Sequence, residues 1–516
     1  MIDHGPHAMN DHPSTMVLPH DVPLPVEISR KGTTGVHMGT IREEDHLSDL
    51  VPEGLRFDPT GDDGDFGLSE PEAVHHFTKL SQKNFGNDTA LYPLGSCTMK
   101  YNAKVCDEVA SWSMVNLVHP EQDPRTIQGY LEVMHELEHW LGEVTGMDAV
   151  TLQPAAGAQG EFLGCLLARA YHESRGEGHR NEIVLPDTAH GTNPATAGMA
   201  GYKVVEFPSK ENGRVDLDAL RASVGENTAL FMLTNPNTLG LFEADIQEIA
   251  KIVHEAGGLL YYDGANLNAI QGITRPGDMG FDIVHINLHK TYAVPHGGGG
   301  PGSGPVGVKA RLEPFLPVPR VIKTDAGYDL QGPEDRPDTI GKIKGYYGQS
   351  AALARAYTYM CLLGGDGIRR AAQIAVLNAN YVKAGLQGVV DFPHPGPNKH
   401  EFVASASTLK RERGITAGDI GKRLLDHGIH APTVYFPLIV PEALMFEPTE
   451  SESKEELDRF VEAMKEIAQE DPDVVHGAPY TTPVKRLDEA KAARKPVLRW
   501  HTLDRLEGCP SASACS

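Results

Sequence analysis

The sequence predicts an α/β protein built on a mainly parallel, seven-stranded sheet flanked by helices, and three observations carry that prediction. Short apolar runs alternate with amphipathic helical segments through the middle of the chain. The runs are continuously apolar, as strands buried on both faces should be. Turns of small or glycine residues follow two of the runs, and the ends of strands are where α/β proteins hold their ligands.

Taken in order, the first ~85 residues are rich in Pro, Gly, Asp and His, show little periodicity and read as an extended arm or tail. A helix is expected over 126–144, with Ile127, Tyr130, Leu131, Met134, Leu137, Glu138 and Leu141 at helical intervals. Strands are expected at 149–153, 182–186, 203–207, 228–233, 258–263 and 282–288, with 306–309 closing the sheet. Between them, 160–176 and 244–258 read as amphipathic helices that make right-handed crossovers. The strand order is not legible. After about residue 346, two Ala-rich helices, the alternating segment 401–407 and a helix from Ala417 indicate a separate α+β domain. The expected division is 1–125 as an arm with an active-site loop, 126–345 as the large domain, and 346–516 as the small domain with a mobile tail from Gly508.

Bulk properties narrow the function. A chain of 516 residues has room for more than one core. A hydrophobic share of 40% and a charged share of 22% are those of a globular protein. The net charge of −24 argues against a nucleic-acid surface, which needs clustered Lys and Arg. The six cysteines show no CxxC spacing, so neither a disulfide framework nor a zinc site is expected, and no metal is assigned. The scattered His4, His7, His12 and His20 read as solvated tail residues. No apolar run approaches the ~20 residues that span a bilayer, and no secretory signal is legible, so a reducing cytoplasm is the expected compartment.

Three motifs carry chemistry. In QPAAGAQGEFLG, a strand ends at Gln153, the turn Ala155–Ala156–Gly157–Ala158 follows, and a helix starts near Gln159. Free N–H groups and the helix dipole there suit a phosphate, although a tight strand–helix connection without a ligand accounts for the same residues. In YYDGANLNA, Asp263 ends a buried strand. Such a carboxylate can keep a pyridine nitrogen protonated, or it can simply cap the next segment. In INLHKTYAVPHGGGGPGSGPVGV, Lys290 follows a buried strand and precedes a glycine-rich run at 297–304. A neutral amine at such a place forms an imine with an aldehyde, whereas a surface lysine before a flexible loop is the plainer alternative.

The order of the three motifs is that of pyridoxal-phosphate (PLP) enzymes of fold type I. A dinucleotide reading fails on position, because no GxGxxG follows the first strand of the α/β region.

The segments LYPLGSCTMKYN (91–102), LPDTAHGTNPATA (185–197), TNPNTLGLFE (234–243), YYDGANLNA (261–269), NLHKTYAVPHGGGGPGSGPVGV (287–308) and TTPVKRLDEAKAARKPVLRW (481–500) resemble the C-terminal half of the glycine-cleavage P-protein family. The resemblance runs from about Tyr92 to Trp500, with Ala103 where the family commonly has proline. It implies that Lys290 carries PLP covalently, that His190 stacks on the pyridine ring, and that Asp263 pairs with its nitrogen. It also implies that Gly157, Ala158 and Gln159 hold the phosphate, with Thr238, Asn266 and His289 as further pocket residues. Cys97, within the segment that looks like active-site wall, reads as part of a tight turn rather than as a nucleophile.

The activity implied is glycine decarboxylation with transfer of the aminomethyl group to the lipoyl arm of H-protein, an oxidoreductase step of glycine cleavage. The length matches the lysine-bearing subunit of the split form, so subunit 1 is the implied partner, in a heterotetramer of two of each. Another amino-acid decarboxylase or aminotransferase of the same fold is the rival enzyme reading. A decayed scaffold half is the non-enzymatic one, and joint retention of Lys290, Asp263 and His190 argues against it.

Overall fold

The computed structural model describes residues 22–30, 33, 67–119, 121–297 and 300–496. The N-terminal histidines, the tail from Gly508 and residues 497–500 of the last resembling segment lie outside the described residues. The described residues fall into two compact units, one drawn from those up to residue 86 and from residue 481 onward, the other from 87–480.

In the first unit, α1 (Glu70–Gln82) corrects the expectation of an arm without periodic structure. Its start signal is a capping box: the Glu72 carboxylate accepts from the Ser69 backbone N–H at 2.9 Å and from the Ser69 hydroxyl at 2.7 Å. The apolar pattern behind the box is weak, with Val74 and Phe77 exposed, which is why periodicity alone misses the helix.

The second unit begins with α2 (Lys104–Ala110) and α3 (Gln128–Thr145). Ile127, Leu131, Met134, Leu137 and Leu141 are all buried along one stripe, and Gly146 in the left-handed region (φ 71°) ends α3. All seven expected strands form: β1 (Ala149–Thr151), β2 (Glu182–Pro186), β3 (Lys203–Phe207), β4 (Thr228–Thr234), β5 (Leu259–Asp263), β6 (Ile283–His285) and β7 (Val306–Val308). The sheet order is β1-β7-β6-β5-β4-β2-β3, with β7 antiparallel to both neighbours and the run from β6 to β3 parallel.

The continuous apolar runs now have their cause. Along β2, β4 and β5, Ile183, Leu185, Leu230, Met232 and Tyr261 join one core with α4 (Gly157–Ser174) and α5 (Thr192–Met199). Their alternates Val184, Phe231, Leu233, Leu260 and Tyr262 join the opposite core with α3 and α6 (Ile246–Glu255). Each strand therefore buries both sets of side chains, at roughly 1.5–3 kcal/mol per large apolar residue. Gly164 of α4 lies so close to the sheet that a Cβ there would stand 2.4 Å from the Tyr261 ring.

Past α7 (Leu288–Thr291) and the hairpin β8 (Arg320–Thr324) with β9 (Gly327–Gln331) comes α8 (Ser350–Gly385). It is broken at Gly364 (φ 59°), so the two expected Ala-rich helices meet at a kink. Before the kink, Leu353, Ala356 and Met360 pack in the large core; after it, Ala379, Val382 and Leu386 pack in a second core. That core also holds β10 (Phe402–Ser405), β12 (Ala443–Phe446), α9 (Ala417–Asp426) and α10 (Lys454–Gln469), with β11 (Thr433–Val434) on the other edge of β12.

The 91–102 segment runs along this small sheet. Leu94 bridges Phe446, and the Gly95 N–H donates to the Met445 carbonyl at 3.3 Å. A Cβ on Gly95 would stand 2.8 Å from that carbonyl, so the approach requires glycine.

Candidate active site

The ends of the parallel strands and the loops after them bring the expected residues together. Asp263 closes β5 and is buried. Its Oδ2 lies 2.7 Å from His190 Nδ1, and its Oδ1 accepts from the Ala265 N–H at 3.0 Å and stands 3.4 Å from His285 Nε2. Asp263 therefore caps the turn after its strand and also faces two imidazoles. Burial by itself would raise this carboxyl, but His190, His285 and Lys290 outweigh it and hold Asp263 far below the ordinary carboxylate range. The result is a fixed anion at the end of β5.

His190, in the loop after β2, reaches from Asp263 to the far wall, where its Nε2 lies 2.8 Å from the Ser96 hydroxyl. With Asp263 an anion, His190 Nδ1 carries the proton that faces it. Lys290, on the short α7 after β6, donates from Nζ to the Ser96 carbonyl at 2.9 Å. Ser96 thus meets both predicted residues, and its own N–H donates to Glu401 Oε2 at 2.8 Å. It does so from the left-handed region, φ 65°, an uncommon conformation for serine. A second tie holds the same loop to α7: buried Lys100 donates to the Thr291 carbonyl, to Tyr359 at 3.1 Å and to Glu450 at 2.8 Å.

The turn at the start of α4 is built as a close-packed N-terminus. Among the described residues no protein acceptor takes the N–H of Gly157 or Ala158. Gln159 works through its side chain, whose Oε1 accepts from the Ala155 N–H at 2.7 Å and braces the turn. Gly157 has a steric reason of its own: a Cβ would lie 2.2 Å from Asn287 Oδ1. The glycine-rich run returns along this turn, with the Gly304 N–H on the Pro154 carbonyl at 2.9 Å and room for no Cβ beside Ala156. Free donors, a helix N-terminus and an approach stripped of side chains fit a phosphate.

The remaining expected residues act as braces. The Thr238 hydroxyl donates to the Thr188 carbonyl at 2.9 Å, tying the loop after β4 to the loop after β2. Asn266 Nδ2 donates to the Pro236 carbonyl and to Glu401 Oε1, both at 2.9 Å. His289 is pushed down to about 3, by burial first and then by Lys290 and His296, so it is neutral, and its Nδ1 has no partner. Burial pushes the Cys97 thiol up, with Lys290 pulling the other way and Glu447 and Glu401 adding to the rise, which disfavours the thiolate a nucleophile needs.

Sequence reasoning missed Ser96, Glu401, Glu447, His285 and Glu161. His285 is the last residue of β6, with Nδ1 2.6 Å from the Tyr261 hydroxyl and Nε2 3.0 Å from Asn287 Nδ2. Burial, above all, takes it down to about 4. Glu161 lies on α4 beneath α5, where the Thr192 and Thr196 hydroxyls donate to it at 2.9 and 3.3 Å. Burial and then Asp263 raise its carboxyl. His400, Glu401 and Glu447 bring one ligand-type atom each within 4.8 Å. Both Glu401 oxygens already accept N–H donors, so this trio is not assigned as a metal centre.

With this geometry in hand, comparison with known proteins is direct. Residues 371–489 match the family model described as glycine dehydrogenase, C-terminal domain, and residues 165–300 match aminotransferase class-V. A curated relative from Pyrococcus abyssi (strain GE5 / Orsay), named "Probable glycine dehydrogenase (decarboxylating) subunit 2", is 55% identical over 492 residues, covering 94% of this chain and 97% of the relative. The counterpart from Thermococcus onnurineus (strain NA1), of the same name, is 56% identical over 497 residues with the same coverage. The crystal structure of an inhibitor-bound glycine decarboxylase (P-protein) of the glycine cleavage system shares the fold, with a TM-score of 0.69 at 23% identity over 81% of this chain and 94% of that one. A NifS-like protein shares it more distantly, with a TM-score of 0.55 at 17% identity over 73% and 99%. The α/β architecture is thus fold type I of the PLP enzymes, as expected. At this identity over nearly the full length of both chains, the protein belongs to the family of glycine dehydrogenase (decarboxylating) subunit 2.

Proposed function

We propose that this chain is the lysine-bearing half of a split glycine decarboxylase, which releases the glycine carboxylate as CO₂ and hands the aminomethyl group to the lipoyl disulfide of H-protein. One observation carries the reading. Lys290, His190 and the Asp263 anion come from the ends of three different strands, yet Lys290 and His190 meet at one residue, Ser96, and His190 joins Asp263 directly.

PLP, when bound, supplies the electron sink for breaking the bond to the carboxylate. The chain's own residues do the rest. Lys290 Nζ is the attachment point. Asp263, kept ionised by its neighbours, holds a proton at a pyridine nitrogen. The free N–H groups of Gly157 and Ala158, on a turn braced by Gln159, take the phosphate. The His190 imidazole is the flat group that covers the ring, and buried Thr238, Asn266 and neutral His289 shape the pocket. No charged group needs to meet the side chain of glycine, which has none, so the site's polarity is free to serve the carboxylate and the cofactor.

Subunit 1 of the split enzyme is the proposed partner, in a heterotetramer of two of each, and lipoylated H-protein is the acceptor. No helix among the described residues is long and apolar enough to cross a membrane, which accords with a proposed cytoplasmic site of action. The test is glycine–carboxyl exchange with labelled bicarbonate and lipoylated H-protein, run with this chain alone and then with the partner half. Exchange that appears with both halves supports the reading. No exchange in either case, with PLP bound by absorbance, points to a different amino acid.

A further inference from the structure

Two buried carboxylates stand behind the site without a role in the scheme above. Glu401, just before β10, and Glu447, just after β12, are 0% and 1% exposed. With His400 they bring ligand-type atoms within 4.8 Å of one another. Two carboxylates so close and so buried cannot both be ionised unless a proton or a cation joins them.

The hydrogen bonds show which acid gives way. Glu401 accepts on both oxygens, from the Ser96 N–H at 2.8 Å and from Asn266 Nδ2 at 2.9 Å. Glu447 accepts the Thr98 hydroxyl on Oε1, while its Oε2 and both ring nitrogens of buried His400 have no hydrogen-bond partner. His400 Nε2 stands 3.8 Å from Glu447 Oε1, and burial first, then Lys290, pushes that imidazole down to about 3, which leaves the proton to the carboxyl. A proton on Glu401 would set an O–H against an N–H donor. A proton on Glu447 Oε2 disturbs no existing bond.

We propose that Glu401 is a positioning residue for the reaction: as an anion it locks the left-handed Ser96 turn that orients Lys290 and His190, and Glu447 keeps it an anion by holding the proton the pair must carry. This inference rests on the reading of Lys290 as the attachment lysine. The groups facing the pair from the packed elements are Cys97 and Lys290, His190, His400 and, beyond β12, Glu450. Their balance agrees with the assignment. Burial raises both carboxyls; on Glu447 the Glu401 and Glu450 charges add to it against the Thr98 hydrogen bond and Lys290, whereas on Glu401 the Ser96 N–H, His190, Lys290 and Asn266 all oppose it.

The deciding variant is Glu401→Gln. It keeps the shape, but however its amide is turned it points N–H atoms at either Ser96 or Asn266. We expect about a 10²-fold loss of kcat in the assembled enzyme, the scale of a misplaced catalytic group. The wild type should lose activity toward acid pH as Glu401 takes a proton, and Glu401→Gln should lack that acid limb. The same limb should appear without turnover, in the rate at which Lys290 is trapped by pyridoxal phosphate and borohydride and counted by mass spectrometry.

Glu447→Gln fixes the neutral state of its partner. Because a buried acid with a raised pKa loses stability as pH climbs above its unfolded value, this variant should gain in Tm over wild type, and more at pH 9 than at pH 6. That measurement stands even if Glu401→Gln does not fold. Wild-type trapping and activity through Glu401→Gln with an unchanged acid limb, a Tm loss in Glu447→Gln, or one divalent metal per chain by elemental analysis would each overturn the proposal. Absence of glycine exchange in wild type with its partner would instead sink the reading on which it rests.

Discussion

The two walls of the site are built in opposite ways. On the strand-end wall, each functional side chain lies in or just after its own strand: Asp263 ends β5, His190 follows β2, and Lys290 follows β6. On the facing wall, Ser96 and Glu401 touch across 305 residues of sequence, and Thr98 and Glu447 across 349. The first wall is a property of strands that end where the chain must turn, so chemistry is attached to a local pattern. The second exists only because the 91–102 segment lies along β12 through Leu94 and Gly95. A site assembled this way places its reacting groups on the rigid sheet and leaves their orientation to a loop.

The comparison is broken most severely at Lys290. Lys290→Ala should reduce glycine–bicarbonate exchange by about 10⁴-fold or more, as removal of a covalent catalyst does. Exchange at the wild-type rate in that variant would reject the assignment. Next comes Asp263→Asn, which removes the anion and sets an amide against the Ala265 N–H or His190. A fall of roughly 10²–10³-fold is expected, with an altered absorbance of bound PLP. An unchanged spectrum would mean that Asp263 only caps its turn.

The sheet beneath the first wall can be weakened without touching a site residue. Leu233→Ala, in the fully buried β4, should cost about 2–5 kcal/mol of stability in chemical denaturation. It should change kcat little while the protein stays folded; a large kcat loss at full folding would show that the strand ends are less rigid than argued. The smallest effect is expected at Cys97→Ala on the second wall. A half-buried thiol with a raised pKa that takes no part in the chemistry should alter exchange by less than about threefold. A thousandfold loss there would restore Cys97 as a nucleophile.

How much was legible follows from where each signal sits. Strand positions could be read because burial on both faces leaves runs such as ALFML with no polar residue to confuse. The helix at Glu70–Gln82 was missed because its apolar stripe is thin, although SEPE carries a capping box. Glu161 looks like an ordinary solvent-facing glutamate on α4; only the packing of α5 above it buries it. His285 looks like one more residue of an apolar strand, and its bonds to Tyr261 and Asn287 appear only when neighbouring strands are paired. At Gly157 the sequence leaves a phosphate site and a tight ligand-free connection as alternatives, and only the fold shows that Asn287 demands glycine there.

Within the chain's own reach, then, lay the fold class, the seven strands, and the lysine and aspartate at their ends; His190 came only with the family resemblance. Fold class, strands and those two residues depend on hydrophobic period and on turn chemistry, both of which act over a few neighbouring residues. Tertiary structure decided the sheet order, the sharing of α8 between two cores, and the whole of the Ser96–Glu401–Glu447 wall. The physical reason is that burial and like-charge proximity are properties of position in space. Glutamates at 401 and 447 are ordinary in sequence, and become a pair that must share a proton only when β10 and β12 lie side by side.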